Sequence, residues 1–208
     1  MGLFDQFQRP TGIQSRVVAV MMNKSHYELT TWGLSHLTIN PTDTILDIGC
    51  GGGKTINRLT KMAPQGKVYG IDHSPDMVKY AQKLNKPHIA QNRVEITQAT
   101  VENTGFPSGT FDLVLAVETY YFWPSLPTAF KEIHRILKPA GKFLMVNEMI
   151  KDGVYEVKKA ELIEKVHVRL FSLEEIQTML ESAGFVRVEV FRKAETPWNA
   201  IVAQKPSN

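Results

Sequence analysis

Cysteine is nearly absent: the single Cys50 excludes an intramolecular disulfide, and with no Cys or His close by in sequence it makes a poor metal ligand. No pair of histidines or carboxylates carries metal-ligand spacing, so no metal is implied. Long apolar runs are missing too; the longest are strand-length, and none would span a bilayer as a helix. The opening Met1-Gly2-Leu3-Phe4-Asp5 lacks the basic start and long apolar stretch of a signal peptide. Gln6 also stands where a myristoylation motif after Gly2 wants Ser or Thr. Nor is there an excess of one charge: 24 Lys and Arg against 21 Asp and Glu leave +3. The lysines are scattered, and nucleic acid is not indicated as a partner. What remains is an ordinary chain of 208 residues, 43% hydrophobic and 22% charged, able to build one sizeable core. The default expectation is a cytoplasmic protein without a membrane partner, as monomer or homodimer.

The most informative stretch is Thr44-Ile45-Leu46-Asp47-Ile48-Gly49-Cys50-Gly51-Gly52-Gly53. Its first half is apolar enough for a strand covered on both faces, apart from Asp47 near the carboxyl end. Its second half is a bend with almost no side-chain bulk, and Ile56, Leu59 and Met62 or Ala63 then mark one stripe of a short helix over 55–63. Strand, bare bend and helix N-terminus together let a ligand touch backbone directly.

The remaining chain repeats this alternation. Residues 1–40 read as an N-terminal helical lid or arm, with helix between 14 and 37 broken near Asn23-Lys24-Ser25, and 41–208 as the main domain. Strands are predicted at 67–72, 94–99, 111–117 and 142–147. Ser74-Pro75-Asp76 caps a helix that places Met77, Val78, Ala81 and Leu84 on one face. Residues 85–93 read as a polar link, and 126–137 as a helix stopped by Lys138-Pro139-Ala140-Gly141. A charged, variable segment covers 148–170. Ser172-Leu173-Glu174-Glu175 is a capping box, and two closing strands at 186–191 and 199–203 are close enough for an antiparallel hairpin. The class is α/β with a largely parallel sheet.

In such sheets ligands collect at the carboxyl ends of the central strands. Asp72 ends the second strand about 20 residues beyond the glycine bend, where a carboxylate suits the two hydroxyls of a ribose. A nucleoside-bearing small molecule is therefore the expected ligand. Gly49-Cys50-Gly51-Gly52-Gly53-Lys54-Thr55 is one residue short of a Walker loop, and Lys54 replaces the last glycine of a dinucleotide fingerprint.

Ile45 to Gly53, Tyr69-Gly70-Ile71-Asp72-His73-Ser74-Pro75-Asp76-Met77, Phe111-Asp112-Leu113-Val114 and Glu132 to Lys142 resemble the class I S-adenosylmethionine-dependent methyltransferases, in particular the methyltransferase type 11 group. The resemblance covers about 40–150 and continues more weakly through 172–185. It implies a Rossmann-like three-layer sandwich with a mostly parallel seven-stranded sheet, S-adenosylmethionine as cofactor and a small-molecule methyl acceptor. It further implies that Asp47, Gly49, Cys50 and Gly51 lie near the methionine part of the cofactor, that Asp72 takes the ribose, and that His73 and Met77 border adenine. Thr100 stands at the usual acidic position, which shifts adenine recognition toward the Val101 amide. For the acceptor side, Glu118 and Tyr120 after the fourth strand and His26 in the N-terminal region are the catalytic candidates, and Tyr121 and Trp123 candidate walls. A nicotinamide-dependent oxidoreductase and a non-catalytic S-adenosylmethionine-binding protein are the alternatives.

Overall fold

The computed structural model describes residues 27–154 and 168–208, together with positions 157, 160, 163 and 164. His26 lies outside the described residues, as do most of the proposed N-terminal arm and part of the 148–170 segment.

Residues 27–34 form α1. There follow β1 (Thr44–Ile48), α2 (Lys54–Met62), β2 (Lys67–Asp72), α3 (Pro75–Leu84), α4 (Lys86–Ala90), β3 (Val94–Gln98), β4 (Phe111–Val117), α5 (Leu126–Ile136), β5 (Leu137–Asn147), α6 (Leu173–Ser182), β6 (Val186–Arg192) and β7 (Asn199–Gln204). The sheet has seven strands in the order β3-β2-β1-β4-β5-β7-β6. The first five lie parallel, whereas β7 runs antiparallel to both β5 and β6, as the predicted hairpin requires.

Side-chain alternation along β1 divides the core into two halves. Leu46 and Ile48 join Phe130, Ile133, Ile136, Ile176 and Leu180 from α5 and α6, while Ile45 joins Leu29, Leu34, Ile56, Leu59, Val78 and Ala81 from α1, α2 and α3. Helices therefore cover both faces, giving three layers. Each fully buried Leu, Ile or Phe contributes about 1.5–3 kcal/mol. The backbone of α1 rests directly on the sheet: a Cβ built at Gly33 would stand 2.4 Å from Val146 Cγ2 of β5.

Two local readings are corrected. The expected polar link at 85–93 contains α4, which buries no residue and so leaves no periodic signal. The fifth strand starts at Leu137, immediately after α5, and bends through Pro139-Ala140-Gly141 before rejoining β4 at Lys142. The carbonyls at this helix end are satisfied by Lys205, whose Nζ donates to His134 O and Leu137 O at 2.8 Å each. His134 packs edge-on against Phe185, away from the site described below.

Candidate active site

β1 sits between β2 and β4, and the connections leaving β1 and β4 run to opposite faces of the sheet. A crevice opens at that divergence. Here it is a cavity of about 1000 Å³.

Backbone hydrogen bonds fix its floor. Ile71 O accepts from both Gly49 N at 2.8 Å and Cys50 N at 3.0 Å, tying the glycine bend to the end of β2. Asp72 then uses one oxygen for Gly51 N and the other for Ser74 N, each at 2.9 Å. Gly49, Gly51 and Gly53 all have positive φ. Their surroundings differ: a Cβ at Gly49 would press on Thr119 Cγ2 at 2.5 Å, whereas one at Gly51 meets nothing within 4 Å among the described residues. Gly51 is thus the place where backbone is bare toward the cavity.

Two carboxylic acids lie on this floor. Asp47 is buried, its Oδ2 has no hydrogen-bond partner among the described residues, and burial followed by the Asp72 charge pushes its pKa up to about 8. Burial also raises Asp72, while the Ser74 and Gly51 amides and the adjacent His73 favour its charged form. Cys50 is buried beside them, and its thiol is pushed well up, mainly by burial. His73, Met77, Thr100 and Val101 line the cavity beyond Asp72, so the nine expected cofactor-side residues all meet around one space.

The opposite wall comes from the end of β4. Glu118 stands at φ +56° and leads into a short 3₁₀ turn over Tyr120–Phe122. Its Oε2 accepts from Tyr121 Oη at 2.7 Å and its Oε1 from the Glu148 amide. Burial raises its pKa to about 7, against the opposing effect of those two donors. Tyr121, Phe122, Trp123 and Pro124 continue this wall. Tyr120 does not join it: the ring is buried in the core and its hydroxyl donates to Met149 O at 2.9 Å. Of the candidate rings Tyr120, Tyr121 and Trp123, the structure brings the last two to the cavity and turns Tyr120 into the core, because the 3₁₀ turn sends successive rings in different directions.

Thr119, inside the expected wall after β4, lines the floor with Oγ1 buried and unpartnered among the described residues. Tyr27, at the start of α1, reaches the cavity too. Sequence reasoning missed Thr30 of α1 and Arg58 and Lys61 of α2, where Arg58 donates to Thr31 Oγ1 at 2.7 Å and stacks on Tyr27. The positions 54, 58 and 61 share one helical stripe, which was the available signal. No cluster of metal-ligating side chains occurs among the described residues.

A family model described as a methyltransferase domain matches residues 46–145. YdaC of Bacillus subtilis, an uncharacterised methyltransferase, is 30% identical over 126 residues, covering 61% of this chain and 67% of YdaC. The chain belongs to the class I S-adenosylmethionine-dependent methyltransferases. The 2-methyl-6-phytyl-1,4-hydroquinone methyltransferase of Synechocystis is 32% identical over 163 residues, 74% of this chain and 49% of that enzyme. The present methyltransferase therefore spans two thirds of one relative and about half of the other. Among solved structures, the protein in complex with the Haloferax volcanii Trm112 methyltransferase activator superposes with TM-score 0.81 at 20% identity, covering 98% of this chain and 97% of that one. Haemonchus contortus phosphoethanolamine N-methyltransferase 2 with S-adenosyl-L-methionine gives TM-score 0.81 at 18% identity, over 99% and 60% of the two chains. These likenesses establish the shared fold.

The residues present fit the family's cofactor. A carboxylate offers about four lone-pair directions, and backbone amides use two of those on Asp72, leaving one on each oxygen for a diol. Among the described residues, Asp47 supplies an unpaired buried oxygen and the space above Gly51 is open.

Proposed function

We propose that this methyltransferase moves a methyl group from S-adenosylmethionine to a small-molecule acceptor seated between the glycine bend and the Glu118–Pro124 wall. The observation that carries the reading is Asp72, pinned by the Gly51 and Ser74 amides at the cavity floor with one acceptor direction left on each oxygen. When bound, the cofactor supplies an electrophilic methyl on a sulfonium, so the protein's task is alignment and exclusion of water. Asp72 would hold the ribose, Asp47 and the Gly49–Gly51 backbone the methionine part, and His73, Met77 and Val101 the adenine. Thr100 can form one hydrogen bond but brings no charge to the adenine edge.

Glu118 faces the acceptor space from the other side, in reach of a proton that leaves as the methyl arrives. The proposed setting is cytoplasmic, with a monomer or homodimer acting on a free small molecule. No described helix is long and apolar enough to cross a membrane.

The test is calorimetric titration with S-adenosylhomocysteine, alongside methyl transfer from labelled S-adenosylmethionine to a panel of phenols, amines, thiols and carboxylates. Stoichiometric binding, no thermal stabilisation by NAD and labelled product from one acceptor class are expected. Binding without product from any class favours a cofactor-binding protein, and stabilisation by NAD instead would overturn the reading.

A further inference from the structure

The cavity wall contains a pair outside the residues proposed to hold the cofactor. Tyr121 and Glu118 are both 6% exposed, both line the cavity, and are joined by the 2.7 Å bond from Tyr121 Oη to Glu118 Oε2. Glu118 is held in place at its other oxygen by the Glu148 amide, and Glu148 is itself anchored by Trp198, whose Nε1 donates to Glu148 Oε1 at 2.9 Å. Glu118 stands in the left-handed backbone region, which strains a non-glycine residue. Strain at a carboxylate facing a ligand space is typical of functional positions.

We propose that Tyr121 is a catalytic residue that relays a proton from a phenolic hydroxyl acceptor to Glu118 during methyl transfer. This rests on the methyl-transfer reading above and narrows its acceptor. A phenolic oxygen both donates and accepts hydrogen bonds, so Tyr121 can receive one proton while releasing its own. In the balanced step, a lone pair of the acceptor oxygen forms the new oxygen–carbon bond, and the methyl–sulfur bond breaks with its electrons remaining on sulfur. The acceptor's proton passes to Tyr121 Oη, and the Tyr121 proton passes to Glu118 Oε2. The positive charge of the sulfonium and the negative charge of Glu118 vanish together, so no new charge is left in a poorly solvated space.

Three features favour a phenol over other acceptors. An ionised carboxylate has no proton to give up and needs no relay. A phenol hydroxyl donates and accepts hydrogen bonds as the Tyr121 hydroxyl does, so each can hand on one proton while keeping its place in the chain from acceptor to Glu118. The wall beside the pair is aromatic, with the Tyr121 and Phe122 rings 4.8 Å apart in an edge-to-face arrangement and Trp123 next in line, suited to a planar ring. Burial keeps Glu118 near pH 7, where a proton acceptor is most effective. Among the described residues, Glu148 and Tyr120 are titratable groups bearing on Glu118, and Asp47, Asp72, His73, Glu102 and Arg169 are among those lining the same cavity.

Tyr121→Phe keeps the ring and removes the relay. In the protein without acceptor, carbon-13 NMR of labelled glutamate, assigned with Glu118→Gln, should show the Glu118 titration moving upward in Tyr121→Phe, since a donor to its charged form is gone. S-Adenosylhomocysteine affinity should stay within about twofold of wild type. With p-cresol as acceptor, kcat should fall about 100-fold. With 4-nitrophenol at pH 8, already ionised, the loss should nearly disappear. An unmoved Glu118 titration, or equal losses with both phenols, overturns the relay. If the wild type binds S-adenosylhomocysteine and methylates amines or carboxylates but no phenol, the relay falls and the methyl-transfer reading stands. If it does not bind S-adenosylhomocysteine, both fall.

Discussion

Replacing Asp72 with Asn separates the two tasks of that carboxylate. In the wild type, two of its four lone-pair directions are filled at 2.9 Å by Gly51 N and Ser74 N, and two remain for the ribose hydroxyls that the proposed function places there. Asn keeps one oxygen, which can serve one amide and one hydroxyl, while its NH₂ group turns a donor toward the other amide. Both hydroxyls also lose a charged acceptor. At about 1.5–3 kcal/mol for each charge-assisted bond, the cost in cofactor affinity is about 3–6 kcal/mol, or about 10² to 10⁴ in Kd. The fold itself should suffer less. The unpaired amide costs about 1–3 kcal/mol, but the variant also removes a buried charge that repels Asp47. Calorimetry with S-adenosylhomocysteine measures the first effect and differential scanning calorimetry the second. A Kd within tenfold of wild type, in a protein melting at nearly the same temperature, would refute the assignment of Asp72 as the ribose ligand.

Gly51→Val should leave a folded protein that no longer binds S-adenosylhomocysteine, since the left-handed φ costs about 1–2 kcal/mol and the new side chain projects into open cavity. Gly49→Ala should instead lower the melting temperature, because its Cβ strikes Thr119. Asp47, raised to about 8 when folded, binds a proton more tightly in the native state than in the unfolded chain. Its contribution to stability is present at pH 5 and is lost as pH rises through 8; urea titrations at both pH values should show Asp47→Asn with a flatter pH dependence than wild type. Ser172→Ala removes the hydroxyl half of the capping box on α6 and should cost about 1 kcal/mol, a melting shift of about 2–4 °C at this chain length.

Much of the fold was legible because its central strands are buried on both faces. β2 and β4 coincide with the predicted runs, and β1 with the Thr44–Ile48 half of the leading stretch. Strong local chemistry also located Ser74 and Ser172, each of which caps its helix through the predicted hydroxyl. Legibility failed where tertiary packing decides. α4 has no buried face to announce it. Leu84 has the spacing of the inner stripe of α3, yet it is 40% exposed and edges the cavity. Nothing in Glu118-Thr119-Tyr120-Tyr121 tells which ring turns inward, since a short 3₁₀ turn has no periodicity long enough to read. The contribution of α1 to the cavity depends on its close approach to β5 at Gly33, a contact between positions distant in sequence.

The placement of β7 between β5 and β6 has a consequence for biosynthesis. The chain makes β6 before the strand that must separate it from β5, so a chain lacking Asn199–Gln204 leaves β5 and β6 each with an unpaired backbone edge. Without β7 the edge of β5 is open to pairing with any extended segment nearby. A chain truncated just before residue 199 should be protease-sensitive and chaperone-bound, and supplying the 199–204 strand should convert it to a resistant form.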